Sequence, residues 1–285
     1  MGLFSVFKKS SNLYFPGCAT YFKFKDNFEI YKEIFNKLDI EFMVTGKNIC
    51  CGLPAFEAGY ENEARKLARR NQEIFKEEQI TTIITNSPCC YKMFLIDYPK
   101  ILPDWNINVK SIWNIILYKL ENNPGLIRNK IKEIAVYNDS CYLGRYCGVY
   151  EEPRKILNLL GYELKEFFNS KEENFCCGSC GGLNRTDSEA ADEIAKEKIL
   201  QAKRINVKKI IVSSLNDYEI LKKNSIGSGV EIMEFSEVLA KALGLRKRNM
   251  ISSSVDENSR FAEDSEFNAN EVLDEVENKI EELKK

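Results

Sequence analysis

Apolar and polar positions alternate along this chain in two rhythms, and the same series of rhythms runs twice. Residues 13–15 read as a short buried strand entering Pro16-Gly17-Cys18. Phe28, Tyr31, Ile34, Phe35 and Leu38 recur at helical spacing, and residues 41–44 predict a second strand. The Ala-, Glu-, Lys- and Arg-rich stretch 57–78 predicts one long helix whose charged side chains form a solvated face. Residues 81–85 are β-branched and predict a buried strand that ends at Asn86-Ser87-Pro88-Cys89-Cys90.

In the second half the order returns. A strand over 134–137 opens onto Asn138-Asp139-Ser140-Cys141, a helix over 152–160 stops at Gly161, and residues 163–168 lead toward Cys176-Cys177-Gly178. A helix over 188–204 and a buried strand over 209–212 follow, the strand running into Ser213-Ser214-Leu215-Asn216-Asp217. Residues 106–133 link the halves, with 109–120 changing from strand to helix before a turn at Asn122-Asn123-Pro124-Gly125. Residues 230–243 play the same part in the second half.

Strands and helices alternating at these lengths imply an α/β protein of two pseudo-repeated, Rossmann-like modules, each on a parallel sheet with right-handed crossovers. The expected boundaries are 12–125 for the first module and 131–248 for the second. Residues 249–285 are expected to form an acidic linker and a short helix, where Leu273, Val276, Ile280 and Leu283 fall at three- and four-residue steps. In sheets of this kind, sites form where loops leave the carboxyl ends of strands. Cys18, Cys90 and Cys141 follow predicted strands directly, and both Cys-Cys-Gly triplets lie in loops between a strand and a helix.

Composition changes the picture mainly by what it removes. The chain has 285 residues, 44% hydrophobic and 29% charged, which is enough for real cores under an ordinary solvated surface. A net charge of −2 gives no sign of a nucleic-acid partner, although residues 252–285 carry eleven acids against four bases. Histidine is absent, so Ser-His-Asp catalysis, His-containing zinc sites and haem ligation by His are excluded together. No apolar run approaches a bilayer span, and residues 1–9 lack the core of a secretory signal and are expected to fold onto the body. A cytoplasmic location is therefore expected, peripheral to a membrane only through a partner. In that reducing setting thiols favour metal binding over disulfides.

The ten cysteines sort into two groups of five: Cys18, Cys50, Cys51, Cys89 and Cys90, then Cys141, Cys147, Cys176, Cys177 and Cys180. Neighbouring thiolates repel unless a metal or cluster neutralises them or they oxidise. Gly17, Gly52, Gly178, Gly181 and Gly182 beside them allow the backbone unusual angles and close approach to a bulky inorganic core. An isolated thiol such as Cys147 is more often a small packing residue. Four cysteines also suit zinc, which remains an alternative for either group.

These residues resemble the CCG-domain, or cysteine-rich domain, family of iron–sulfur proteins. Its members include the B and D subunits of heterodisulfide reductase and the iron–sulfur subunits of glycolate, lactate and glycerol-3-phosphate oxidation systems. The resemblance runs from about Leu13 to Leu243. It rests on Pro16-Gly17-Cys18, Cys50-Cys51-Gly52-Leu53-Pro54-Ala55, Cys90-Tyr91, Asn138-Asp139-Ser140-Cys141-Tyr142-Leu143-Gly144-Arg145, Pro153-Arg154 and Cys176-Cys177-Gly178. It implies a non-cubane [4Fe–4S] cluster in the first module, held by five thiolates; Cys18, Cys50, Cys51 and Cys90 match directly, while Ser87 stands at the first cysteine of the family's last pair and Cys89 sits beside Cys90 instead. The second module departs from the pattern, with Ser214 and Asp217 where the family has its last two cysteines. There Cys141, Cys176, Cys177 and Cys180, with Cys147 and Asp217 as substitutes, are left open to a second cluster, to zinc or to no metal.

The implied function is an iron–sulfur oxidoreductase subunit passing electrons to a disulfide. No Cys-x-x-Cys-x-x-Cys-x-x-x-Cys-Pro run and no Gly-x-Gly-x-x-Gly occurs, so the electrons are expected from a ferredoxin-like or flavin-containing partner, with the acidic tail as a candidate docking segment. Two alternatives fit the same thiols. One is an electron-relay subunit of a hydroxyacid or glycerol-3-phosphate dehydrogenase complex; the other is a zinc-stabilised binding scaffold.

Overall fold

Strands that are apolar on both faces need cover on both sides, and the computed structural model shows how this chain provides it. Residues 10–47 and 49–245 are described. The expected N-terminal segment and the acidic linker with its short helix lie outside the described residues.

The first half runs β1 (Asn12–Tyr14), α1 (Lys25–Lys37), α2 (Leu53–Glu57), α3 (Glu61–Glu77), β2 (Thr82–Thr85), α4 (Pro88–Lys92), α5 (Tyr98–Ile101), β3 (Asn108–Ser111) and α6 (Ile112–Asn122). The second runs β4 (Ile134–Asn138), α7 (Glu151–Leu160), β5 (Glu163–Lys165), α8 (Leu183–Thr186), α9 (Ser188–Arg204), β6 (Lys209–Val212), α10 (Leu215–Asn224), β7 (Glu231–Glu234) and α11 (Phe235–Leu243). Both sheets are parallel, in the orders β1-β2-β3 and β5-β4-β6-β7. The α/β class and the two parallel sheets expected from the sequence are both present.

Two predicted elements differ. Residues 41–44 contribute a single parallel bridge, Leu13 with Met43, rather than a strand. Tyr14 N donates to Met43 O and Met43 N to Asn12 O, both at 2.8 Å. The chain then leaves the sheet at Thr45, whose hydroxyl donates to Glu78 Oε1 at 2.9 Å and accepts from Lys47 N. The rung occupies the place beside β1 that β5 fills beside β4. The long helix expected over 57–78 is instead two, because Gly59 takes a φ of +85° and turns the chain between α2 and α3.

Alternation along the strands decides how the halves meet. Leu13, Phe15 and Ile83 face an outer core with Ala64, Ala68, Phe75 and Phe94. Val136, Ile210 and Val212 face a second outer core with Ala195 and Ile199. The opposite strand faces, Tyr14 and Ile84 from one sheet and Ala135, Tyr137 and Ile211 from the other, contribute to one shared core. Between the sheets α1 packs on α11 and α6 on α7, and the Trp113 and Phe235 rings meet with centroids 4.6 Å apart. Each such side chain removed from water is worth about 1.5–3 kcal/mol, so the halves are held together by the same force that folds each one.

Candidate metal centres

The parallel strands deliver the first group of thiols to one sheet edge. Cys18 follows β1 by way of Gly17, whose φ is +79°. A Cβ on Gly17 would lie 2.8 Å from the Ser87 Cβ and 3.1 Å from the Cys90 sulfur, so this close approach excludes any other residue. Cys50 and Cys51 precede α2, whose N-cap Gly52 is left-handed and donates its N–H to Cys50 Sγ at 3.4 Å. Cys89 and Cys90 open α4 immediately after β2, with Pro88 at the first helical position. The five sulfurs form a string. Cys18 and Cys50 lie 3.9 Å apart, Cys50 adjoins Cys51, Cys51 reaches Cys90, and Cys90 reaches Cys89.

Acidity is uneven along that string. Cys50 is held below the ordinary thiol range because Cys18 donates to it, and Cys89 because Cys90 does. Cys18 and Cys51 are raised by their bonds to Cys50, and Cys90 by its bonds to Cys51 and Cys89. Neighbouring buried thiols cannot all ionise unless positive charge enters among them. Full ionisation requires a cationic core.

The second group repeats the plan with one substitution. Cys141 follows β4, and Cys176-Cys177-Gly178 has Gly178 N donating to Cys176 Sγ at 3.3 Å, as Gly52 does to Cys50. Gly178 has a φ of +89°, and a Cβ there would overlap the Ala191 carbonyl oxygen. Cys141, Cys176 and Cys180 are in mutual contact, with Cys176 lowered as acceptor from the other two. Cys177 is fully buried beside them, its thiol raised by burial. Asp217, in the first turn of α10, stands where Cys90 stands in α4. Burial pushes its carboxyl up to about 6, and it accepts from the Ser179 hydroxyl, which leaves Cys180 as the nearer replacement donor.

Cys147 is not brought to either group. It packs against the shared core, and burial pushes its thiol to about 12, with Lys92 and Asp97 rather than cysteines as its charged neighbours. Sequence reasoning passed over Arg145, which donates to Cys141 Sγ at 2.8 Å, although it quoted the residue within a motif. It also missed Lys198, whose place among the alanines of one α9 face was the available signal.

A cleft of about 670 Å³ separates the two groups. Cys89 lines it from the first half, and Ser179, Gly181 and Arg185 from the second. Tyr142 spans it, donating to Glu57 Oε2 at 2.7 Å and accepting from Gly181 N at 3.2 Å. Among the described residues no group of three or more Cys, Asp or Glu side chains is arranged to hold a single metal ion. Strung-out thiols, glycine-cleared approaches and backbone N–H groups aimed at sulfur fit a larger iron–sulfur group.

This is the architecture of a cysteine-rich iron–sulfur protein. The profile of the cysteine-rich domain (CCG) family matches residues 12–95 and 135–216, more than half of the chain, and the chain belongs to that family. The D subunit of the dihydromethanophenazine:CoB–CoM heterodisulfide reductase of Methanosarcina acetivorans is 26% identical over 249 residues, 83% of this chain and 60% of that one. An EtfAB:quinone oxidoreductase of Syntrophomonas wolfei is 32% identical over 203 residues, 70% of this chain and 28% of that one. The probable iron-sulfur-binding oxidoreductase FadF of Bacillus subtilis is 29% identical over 178 residues, 62% of this chain and 25% of that one. The chain thus spans 60% or less of the length of these relatives. No helix among the described residues is long and apolar enough to cross a membrane.

Proposed function

We propose that this chain is an iron–sulfur subunit of an oxidoreductase complex, and that it delivers electrons to a disulfide in the cleft between its halves. The observation that carries the reading is the string of five thiols from Cys18 to Cys89 that ends on that cleft. Cys18, Cys50, Cys51, Cys89 and Cys90 would hold a non-cubane [4Fe–4S] cluster, and Cys141, Cys176, Cys177 and Cys180 a second iron–sulfur group. Such a group supplies electrons one at a time, whereas reducing a disulfide to two thiols takes two electrons and two protons. The chain's own residues orient the ligands: Gly52 and Gly178 N–H groups neutralise sulfur charge. Tyr142 and Glu57 set the width of the cleft, and the buried aromatic residues beside Cys90 keep water from the first site.

The donor is a ferredoxin-like or flavin-containing polypeptide, since the chain carries no nucleotide-binding fingerprint of its own. A second reading, electron relay without disulfide chemistry, is favoured by the likeness to the EtfAB:quinone oxidoreductase. Anaerobic purification with iron, sulfide and zinc counted per chain tests the cofactor. Iron and sulfide in comparable amounts support the reading, and zinc alone defeats it. Turnover of a small disulfide with an artificial reductant then separates the two functions, because an iron-loaded chain without turnover is a relay.

A further inference from the structure

The two sites can be laid over each other residue by residue, because α3 and α9 are both 17 residues long and every buried position of α9 is also buried in α3. Ala64, Ala68, Asn71 and Phe75 of α3 correspond to Ala191, Ala195, Lys198 and Ala202 of α9, and all are buried. The segments after the first cysteines correspond as well. Ala19–Lys23 and Tyr142–Tyr146 are both π-helical turns, which sets Phe22 against Arg145.

In both of these slots the first site has a neutral side chain and the second a cation. Asn71 donates its amide to the Cys50 carbonyl at 2.7 Å and to the Tyr98 hydroxyl at 2.8 Å. Its counterpart Lys198 is fully buried, donates to Asn174 Oδ1 at 2.5 Å and lies 3.6 Å from the centroid of the Phe167 ring. Phe22 is 44% exposed. Its counterpart Arg145 donates to Cys141 Sγ at 2.8 Å and to the Asn174 carbonyl at 3.0 Å. Asn174, just ahead of Cys176, therefore holds both cations against the second group of thiols.

A buried ammonium costs several kcal/mol unless anions repay it. The acidic groups acting on Lys198 are Cys177, Asp139, Cys141 and Asp217. Asp139 is already engaged by both terminal guanidinium nitrogens of Arg154, at 2.6 and 2.8 Å. What remains to balance Lys198 is the thiol site and Asp217. The first site has no such arrangement in the equivalent slots; Arg185 acts on Cys50 from the second half through its charge, whereas Arg145 donates directly to a ligand sulfur.

We propose that Lys198 and Arg145 are fixed counter-charges that give the second site a more positive reduction potential than the first. The proposal rests on the reading that both sites hold iron–sulfur groups. An added electron is stabilised by nearby fixed cations and by donors to the ligand sulfurs, and destabilised by a fifth crowded thiolate. Both residues are positioning residues, and they act on the potential through the sulfurs.

The test is an anaerobic redox titration followed by EPR on the full chain. Cys51→Ser isolates the second site and Cys177→Ser the first. The second-site midpoint is expected to lie above the first. Arg145→Gln and Lys198→Met, each in the Cys51→Ser background, should shift it to more negative values. Arg145→Lys, which keeps the charge, should restore it. Arg145 is exposed, so its variants remain informative even where Lys198→Met fails to fold. A loaded second site whose midpoint ignores the loss of Arg145 would overturn this inference and leave the cofactor reading standing. A Cys51→Ser chain without iron would overturn the second-site assignment and the inference with it.

Discussion

Glu234 offers a test of the shared core by pH alone. It ends β7 and caps α11, fully buried at the contact between the halves. Oε1 accepts from the Tyr31 hydroxyl at 2.6 Å, and Oε2 from Ser236 N at 2.7 Å, from the Ser236 hydroxyl, and from Asn27 Nδ2 at 3.3 Å. Those donors favour the carboxylate, whereas burial favours the neutral acid; burial is the larger effect and pushes the group up to about 7 from an ordinary 4.5. A carboxyl raised on folding stabilises the protein in its protonated form. That contribution is complete below about pH 4.5 and is lost as the pH climbs through about 7. The gap corresponds to about 3 kcal/mol. Glu234→Gln keeps an oxygen for Ser236 and Asn27 and turns its amide to the Tyr31 oxygen, as the protonated acid would. Urea unfolding under reducing conditions at pH 5, 6.5 and 8 should show the variant gaining on the wild type as pH rises, by up to about 3 kcal/mol at the top of the range. A variant that instead loses ground with rising pH would mean that the four donors outweigh burial, and the reasoning would fail.

Three further outcomes follow from the geometry. Cys180→Ser should lose iron from the second site while Asp217→Asn retains it, because the Asp217 carboxylate is engaged by Ser179; iron counts in the Cys51→Ser background decide between the two donors. Gly178→Ala should cost about 3 kcal/mol, since strain at positive φ adds to an overlap with the Ala191 backbone, whereas Gly181→Ala, with open space around it, should cost about 1 kcal/mol; thermal unfolding of the two variants reads the difference. Trp113→Ala should cost about 3–5 kcal/mol and loosen the docking of α6 on the second half, seen as faster hydrogen exchange in both sheets rather than one.

Much of the strand and helix order was legible because parallel, doubly covered strands leave continuous apolar runs, such as Ile210, Ile211 and Val212, between strongly helical segments, such as Ser188–Arg204. The thiols were legible for a chemical reason: Cys50-Cys51 and Cys176-Cys177 have no economical packing explanation. What escaped was tertiary. No pattern within one segment says that Trp113 and Phe235 meet across the two halves. Whether residues 41–44 add a strand or a single rung depends on the Thr45 hydroxyl finding Glu78. Cys147 reads from the sequence as a packing residue with ligation as the alternative, and the π-helical turn from Tyr142 to Tyr146 carries it away from Cys141 and against the shared core. Lys198 needed its partner Asn174, which is distant in sequence, before a buried charge made sense.

The interleaving of α1 with α11 and of α6 with α7 has a consequence for how such proteins can be rearranged. A half cut free at residue 125 would present its tyrosines and its tryptophan to water, and the packed helices tie both sulfur-bearing edges to the one core. The spacing across the cleft is thus set by the same packing that joins the halves. Exchanging one half with that of a relative would succeed only if the helices facing it were exchanged as well.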